Sequence, residues 1–398
     1  MTNKFDHWIF VSFVILIVIL SCSTQPHDKI IEIDANKNYP VLDLKLSDIA
    51  DITYVPLKLG KDPILLISGA PTRGVFVMSD RILVADNNQT DPKIVVYNFD
   101  GEPLYKIGEI GRGPGELSGF FHFTVDTIKR EVYIWGTIER QLYVYNIEGQ
   151  YIRSTKELNK VRFLNFENIN DKTLVGFTPN AITYLPEWLS KRFGEKISNS
   201  GRSITYLDKE NLSLIDIPDI GFKRIHIDKT GTGIAAITTT RNGSYLVTLR
   251  SDTTYFMDDS LRITPRFVDV TEYNNKGEIC IFPVLETDKY VFLTTTIPIG
   301  GNYDHTSIKY LAYDKDQHKI FKIKNNSNKE DSGNPDAAFR DNIKILQYNK
   351  TLNSNYIVRS FGYKFLIENY KSLPDKLKQI TDQMSEEDNP VLMLIKFK

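Results

Sequence analysis

Cysteine is nearly missing from this chain. Only Cys22 and Cys280 occur in 398 residues, so no disulfide framework can carry the fold and a packed apolar core must. A basic excess is missing too. Lys and Arg number 49 against 50 Asp and Glu, a formal net charge of -1. With no Lys/Arg-rich run either, the electrostatic footprint of a nucleic-acid partner is absent and none is expected. Histidines number 6, and none falls in an H-x-H or H-E-x-x-H spacing, which removes the compact metal motifs. No G-x-S-x-G elbow presents a nucleophilic serine. After residue 20 no apolar run approaches the roughly 20 residues that a membrane-spanning helix needs.

What is present begins at the N-terminus. Lys4 precedes an apolar run from Trp8 to Leu20, too short for a bilayer span but right for a signal-peptide core. The run ends Ile19-Leu20-Ser21-Cys22. Branched aliphatics, a small residue that fits a peptidase and a thiol to accept acyl chains resemble a bacterial lipobox. Residues 1–21 are therefore expected to be a signal peptide, Cys22 the lipidated residue and 22–29 a polar tether. Ser23 follows the cysteine where an inner-membrane retention signal would have aspartate. By resemblance to other lipoproteins, that places the chain on the outer membrane, with either face open. Cys280, in EICIFPVLE, reads as a small core residue.

From residue 30 to 398 the sequence reads as β almost throughout. Short runs of Val, Ile, Tyr and Phe alternate with turn clusters. RILVADNNQTDPKIVVYNFDGEPLYKIG, from Arg81, matches EVYIWGTIERQLYVYNIEGQYIRSTK, from Glu131, at an offset of about 50 residues. Each unit is strand, loop, strand, an acidic-Gly turn (Asp100-Gly101, Glu148-Gly149), and a further strand. Glycine tolerates the positive φ that such tight turns require. Later units are more degenerate: SITYLDKENLSLIDI, YLVTLRSDTTYFMDD, IKYLAYDKDQHKIFKIKN and NYIVRSFGYKFLIENY. A repeat of this length, with four strands per unit, predicts a β-propeller of six or seven blades, and six fits the visible units better. ITYVPLK, Ile52 to Lys58, is the candidate strand that closes the ring, because an open propeller leaves two sheet edges exposed. Two helices are expected. One covers Leu185–Phe193, in a stretch around 166 to 200 where the repeat is least regular. The other lies in SLPDKLKQITDQM, where Ser372 is placed to cap and Leu377, Ile380 and Met384 share a face.

GEIGRGPGE, Gly108 to Glu116, superficially offers a phosphate loop. A P-loop needs Lys-Ser/Thr opening a helix, and a dinucleotide fingerprint needs a third glycine where Glu116 stands. LSGFFHFTVD, which follows, is strand-like. The stretch therefore reads as a blade-to-blade connector turned by Gly113-Pro114-Gly115, with an Arg112–Glu116 ion pair available to fasten it.

Gly111-Arg112-Gly113-Pro114-Gly115-Glu116, Asp51-Ile52-Thr53-Tyr54-Val55-Pro56-Leu57, Ser251-Asp252-Thr253-Thr254-Tyr255 and Asp388-Asn389-Pro390-Val391-Leu392 occur in this order along nearly the whole mature chain. Together they resemble the six-bladed β-propeller lipoproteins common in Bacteroidetes, related in shape to NHL- and TolB-type propellers. The resemblance implies an all-β fold of six four-stranded antiparallel blades plus a short C-terminal helix. It carries over no reaction and no catalytic motif. The leading expectation is a non-enzymatic envelope protein that binds a protein, peptide or glycan on one propeller face. The competing reading is a lactonase- or lyase-like enzyme with a metal such as calcium in the central channel, on fold analogy alone. A scaffold or sensor subunit beside uptake machinery is the third. Rim logic selects Arg73, Arg112, Glu116, Trp135 and Arg140 as candidate binding residues.

Overall fold

In a computed structural model the described residues are 29–44, 46–61, 64, 66, 74–86, 91–111, 113–117, 119, 121–158, 163, 165–177, 204–216, 235–240, 242–248, 252–272, 280–296, 298–299, 302–303, 309–324 and 356–397. They form the six-bladed propeller. Blade one comprises the strands Val75–Val77, Ile82–Asp86, Lys93–Tyr97 and Pro103–Ile107. Blade two spans Phe121–Asp126, Glu131–Gly136, Gln141–Asn146 and Tyr151–Ser154. Blade three spans Asn165–Asn168, Thr173–Phe177, Ile204–Asp208 and Leu214–Ile215. Blade four runs from Ala235 to Asp269 and blade five from Cys280 to Ile323, each with the same antiparallel order. Blade six shows three strands among the described residues: Tyr356–Phe361, Val391–Phe397 and β3 (Ala50–Pro56).

The apolar strands are explained by where the core sits. It is divided into six slabs, each shared by two neighbouring blades. A strand buried on both faces cannot alternate apolar and polar. Hence ILVAD and KIVVY in blade one are buried at every position. Fully buried Cys280 sits in the innermost strand of blade five. Trp135 is likewise fully buried, edge-on to Phe163 at 4.6 Å in the slab between blades two and three.

The ring closes where the sequence places the closure. β3 pairs antiparallel with Val391–Phe397, Val55 opposite Leu392 and Ile52 opposite Ile395. A feature of the N-terminal segment is not legible in the sequence. β1 (Ile31–Ile33) adds a parallel fifth strand to the outer edge of blade four, and β2 (Val41–Leu42) does the same for blade five. The segment is thus a strap across blades four, five and six. Strands of three and two residues carry no readable period, and a parallel edge pairing has no hairpin turn to announce it.

Two expectations need correction. YKFLIENY is not a strand of blade six: Tyr363–Glu368 is helical, following Gly362, with Leu366 buried. A short apolar run does not distinguish the two states. The helix near the C-terminus is present at Asp375–Thr381, with Leu377 buried and Ile380 and Met384 packed beside it. Ser372 does not cap it. Its hydroxyl donates to Asn369 O at 2.9 Å, and Pro374 occupies the N-cap position. The expected helix at Leu185–Phe193 lies outside the described residues.

Candidate functional site

Antiparallel alternation puts every connection at one of two ends of the blades. Connections within the first and last strand pairs of a blade (78–81, 127–130, 169–172, 287–289; 98–102, 147–150, 209–213, 259–262, 315–318) are tight turns. Between the described strands the longer connections leave from the opposite end: 57–74, 108–120, 155–164, 178–203, 216–234, 270–279, 297–308 and 362–390, while 324–355 starts at that end and finishes at the other. The propeller thus has a turn face and a loop face, and the loop face is where surface for recognition is built.

The best described part of that face is the junction of blades one and two. Glu109–Ile110 pairs in parallel with Glu116–Leu117, closing the connector into a knuckle. Gly111 N donates to Leu117 O at 3.0 Å, and Glu116 N to Gly113 O at 3.1 Å. Glu116 folds its carboxylate back inside, accepting from Gly113 N at 2.6 Å. A Cβ on Gly111 would lie 1.8 Å from that carboxylate. Gly115, at φ +81, lies against the Tyr151 ring, and its carbonyl accepts from the Tyr145 hydroxyl. Burial raises the Tyr145 phenol, keeping it a donor. The glycine-rich stretch is therefore a rigid connector between blades, as its sequence suggests.

Glu116 thus commits one carboxylate oxygen to the knuckle. Arg112 and Arg73 lie outside the described residues, as does Cys22. Trp135 offers no surface to a ligand. Arg140 closes the turn 137–140, with φ +54 and its N–H donating to Gly136 O at 2.8 Å, and its guanidinium pairs with Glu157. Beside it Ile138 is half exposed and packs on Gly119, so a second connection leans on the connector. Ile110, in the knuckle, is also half exposed. Two isoleucines presented by rigid turns were missed by sequence reasoning. An isoleucine inside a turn tetrapeptide (TIER) was the available signal.

Among the described residues no group of three or more His, Cys, Asp or Glu could hold a metal ion. Of the histidines, His318 is hydrogen-bonded through Nδ1 to the Tyr313 hydroxyl at 3.0 Å, and His27, His226 and His305 lie outside the described residues. No helix among the described residues is long and apolar enough to cross a membrane.

Fold and face define a six-bladed propeller with one loop-built surface. The chain belongs to the family described as a domain of unknown function (DUF4934), which matches residues 28–396. No curated protein matches it. Among solved structures, a Bacteroides fragilis protein described as exported aligns with 93% of this chain and 100% of its own, at 16% identity and a TM-score of 0.58. A member of the duf4221 family from Bacteroides vulgatus aligns over 88% and 99%, at 10% identity and a TM-score of 0.49. The first likeness carries the propeller fold.

Proposed function

We propose that this chain is a cell-envelope lipoprotein, anchored through Cys22 to the outer membrane, whose loop face binds a protein, peptide or glycan without chemistry. The observation that carries the binding reading is that, between the described strands, the longer connections leave from one face. At the blade one–two junction that face is held rigid, so apolar side chains are presented at low entropic cost. The apolar segment ending at Cys22 supports the anchor, and the exported Bacteroides fragilis neighbour agrees with an envelope setting.

Photo-crosslinking residues placed singly at Ile138 and at Ile128 test the binding face. Both isoleucines belong to exposed turns of blade two, but Ile138 is on the loop face and Ile128 on the turn face. Irradiation in cells should give discrete adducts from position 138 and none from 128. Equal labelling from both positions would sink the reading.

A further inference from the structure

The strap that crosses blades four and five frames two adjoining crevices. One, of about 540 Å³, lies between β1 and the start of the outer strand of blade five. Lys29, Lys37, Lys319 and His318 line it, with Glu32 its one carboxylate. The next, of about 350 Å³, is lined by Lys37, Lys309 and Lys322 with Asn36 and Asn38, and by no carboxylate. Five lysines therefore line this seam against one glutamate, in a chain whose acids and bases otherwise balance. Ile30 and Val41 are exposed on the same strap, at 46% and 62%.

The seam is also where the chain enters the fold. Lys29 O accepts from Arg266 Nη1 at 3.1 Å, and β1 starts two residues later. Cys22 is seven residues upstream of Lys29, a separation that spans at most about 25 Å of extended chain.

We infer that this seam is a docking surface for the anionic phospholipid headgroups of the membrane in which the chain is anchored. The inference rests on the lipid-anchor reading for its geometry. Lysines attract an anionic bilayer, while the strap isoleucine and valine insert at the headgroup boundary. The anchor fixes the chain to the bilayer but leaves its orientation free, and a basic patch beside the point of entry sets which surface lies against the headgroups. The contact uses the strap and the rim of blade five, so the knuckle at blades one and two stays clear of it.

The test is flotation of the chain beginning at Ser23, which retains every described element. The vesicles are phosphatidylcholine alone, or roughly three parts phosphatidylglycerol to seven of phosphatidylcholine. Binding to the phosphatidylglycerol vesicles is expected, weakening as salt rises. The triple variant Lys29→Glu, Lys319→Glu, Lys322→Glu should lose about tenfold or more of it. The milder pair Lys29→Gln, Lys319→Gln should lose part of it, and serves if the triple variant fails to fold. Equal binding to neutral vesicles, or full binding by the folded triple variant, overturns the inference. Release by inorganic phosphate, with no effect from chloride at the same ionic strength, would assign the seam to a soluble phosphoryl ligand and also overturn it. The chain tested has no Cys22, so the anchor is read separately, from the mass of the Cys22 peptide in membrane-extracted protein. A lipidated Cys22 with no vesicle binding fails this inference and leaves the anchor standing.

Discussion

Single residues decide how neighbouring blades are stitched. Gly101 sits at φ +78 in the last turn of blade one, and a Cβ there would lie 1.8 Å from Pro56 O of the closing strand. Lys58 N donates to Gly101 O at 2.9 Å across the same contact. Gly149 repeats the arrangement one blade on, against Lys106 O, with a Cβ distance of 3.0 Å. Gly101→Ala should therefore cost about 3 kcal/mol or more. Gly149→Ala, where the main penalty is the left-handed backbone, should cost about 1–2 kcal/mol. Denaturant melts of both would show the ranking, and equal losses would contradict it.

A second stitch is ionic. Lys209 is fully buried and donates to Asp126 Oδ2 at 2.6 Å, across the blade two–three boundary. Burial pulls the Lys209 ammonium below its ordinary value, and the Asp126 charge opposes that. Asp126 Oδ1 also accepts from Ile128 and Lys129 N–H groups, both at 2.9 Å. Asp126→Asn keeps that turn and removes only the charge, and leaving Lys209 buried and unpaired should cost about 3–5 kcal/mol. Adding Lys209→Met should recover part of the loss, because no charge is then left buried. Glu131 beside them holds Arg153 through two hydrogen bonds of 2.9 and 3.2 Å. Burial pushes its carboxyl up, but Arg153 and the Tyr133 hydroxyl outweigh burial and hold it below the ordinary value. Its folded value is thus under the unfolded value of about 4.3. The stabilisation is present above the unfolded value and is lost as pH falls through the folded one. Glu131→Gln should cost about 1 kcal/mol at neutral pH, the pair being partly exposed, and should flatten the acid limb of a stability–pH curve. An unchanged acid limb would remove Glu131 from the account.

At the scale of the element, the repeat is a turn motif more than a strand motif. At the end of the third strand in blades one to five stands Asn98, Asn146, Asp208, Asp258 or Asp314. Each accepts backbone N–H groups of the following turn on Oδ1, as Asp258 does from Ser260 at 2.9 Å and Arg262 at 3.0 Å. Such Asx turns set hairpin geometry through the side chain. Asp258→Ala should cost about 1 kcal/mol with the fold intact, measured as a shift in urea midpoint at constant slope. The sequence made the first two units legible because there the Asx residue leads an acidic-Gly pair. In blades three to five Leu212, Leu261 and His318 hold the positive φ instead, at +58, +64 and +53, so the glycine signal is lost while the turn survives. The same limit applies at the candidate face. The connector was readable from its glycines, but the inward fold of Glu116 was not, because a carboxylate's partner depends on backbone that only the closed knuckle supplies.

For the whole molecule, the fold is a ring, and rings fail differently from stacked cores. β3 and the residue that follows it place Val55 and Leu57 in the slab between blades six and one, and β3 places Ala50 and Tyr54 in the slab between five and six. Residues 29–44, by contrast, add strands to the outer edges of blades four and five, with Ile31, Ile33 and Tyr39 packed on the slab between those blades. A chain beginning at Lys45 should therefore still fold, with a lower melting temperature and more self-association through the uncovered edges of blades four and five. A chain beginning at Lys58 removes the closing strand, opens two slabs at once and exposes the edge at Val391–Phe397. It should lose the cooperative melt altogether, because no blade can bury its two faces without both neighbours. Adding a peptide of residues 50–58 should restore it in proportion to peptide concentration. A cooperative melt of the Lys58 chain without peptide would mean that the ring is not held by its closure. Stability would then have to come from the contacts between successive blades alone.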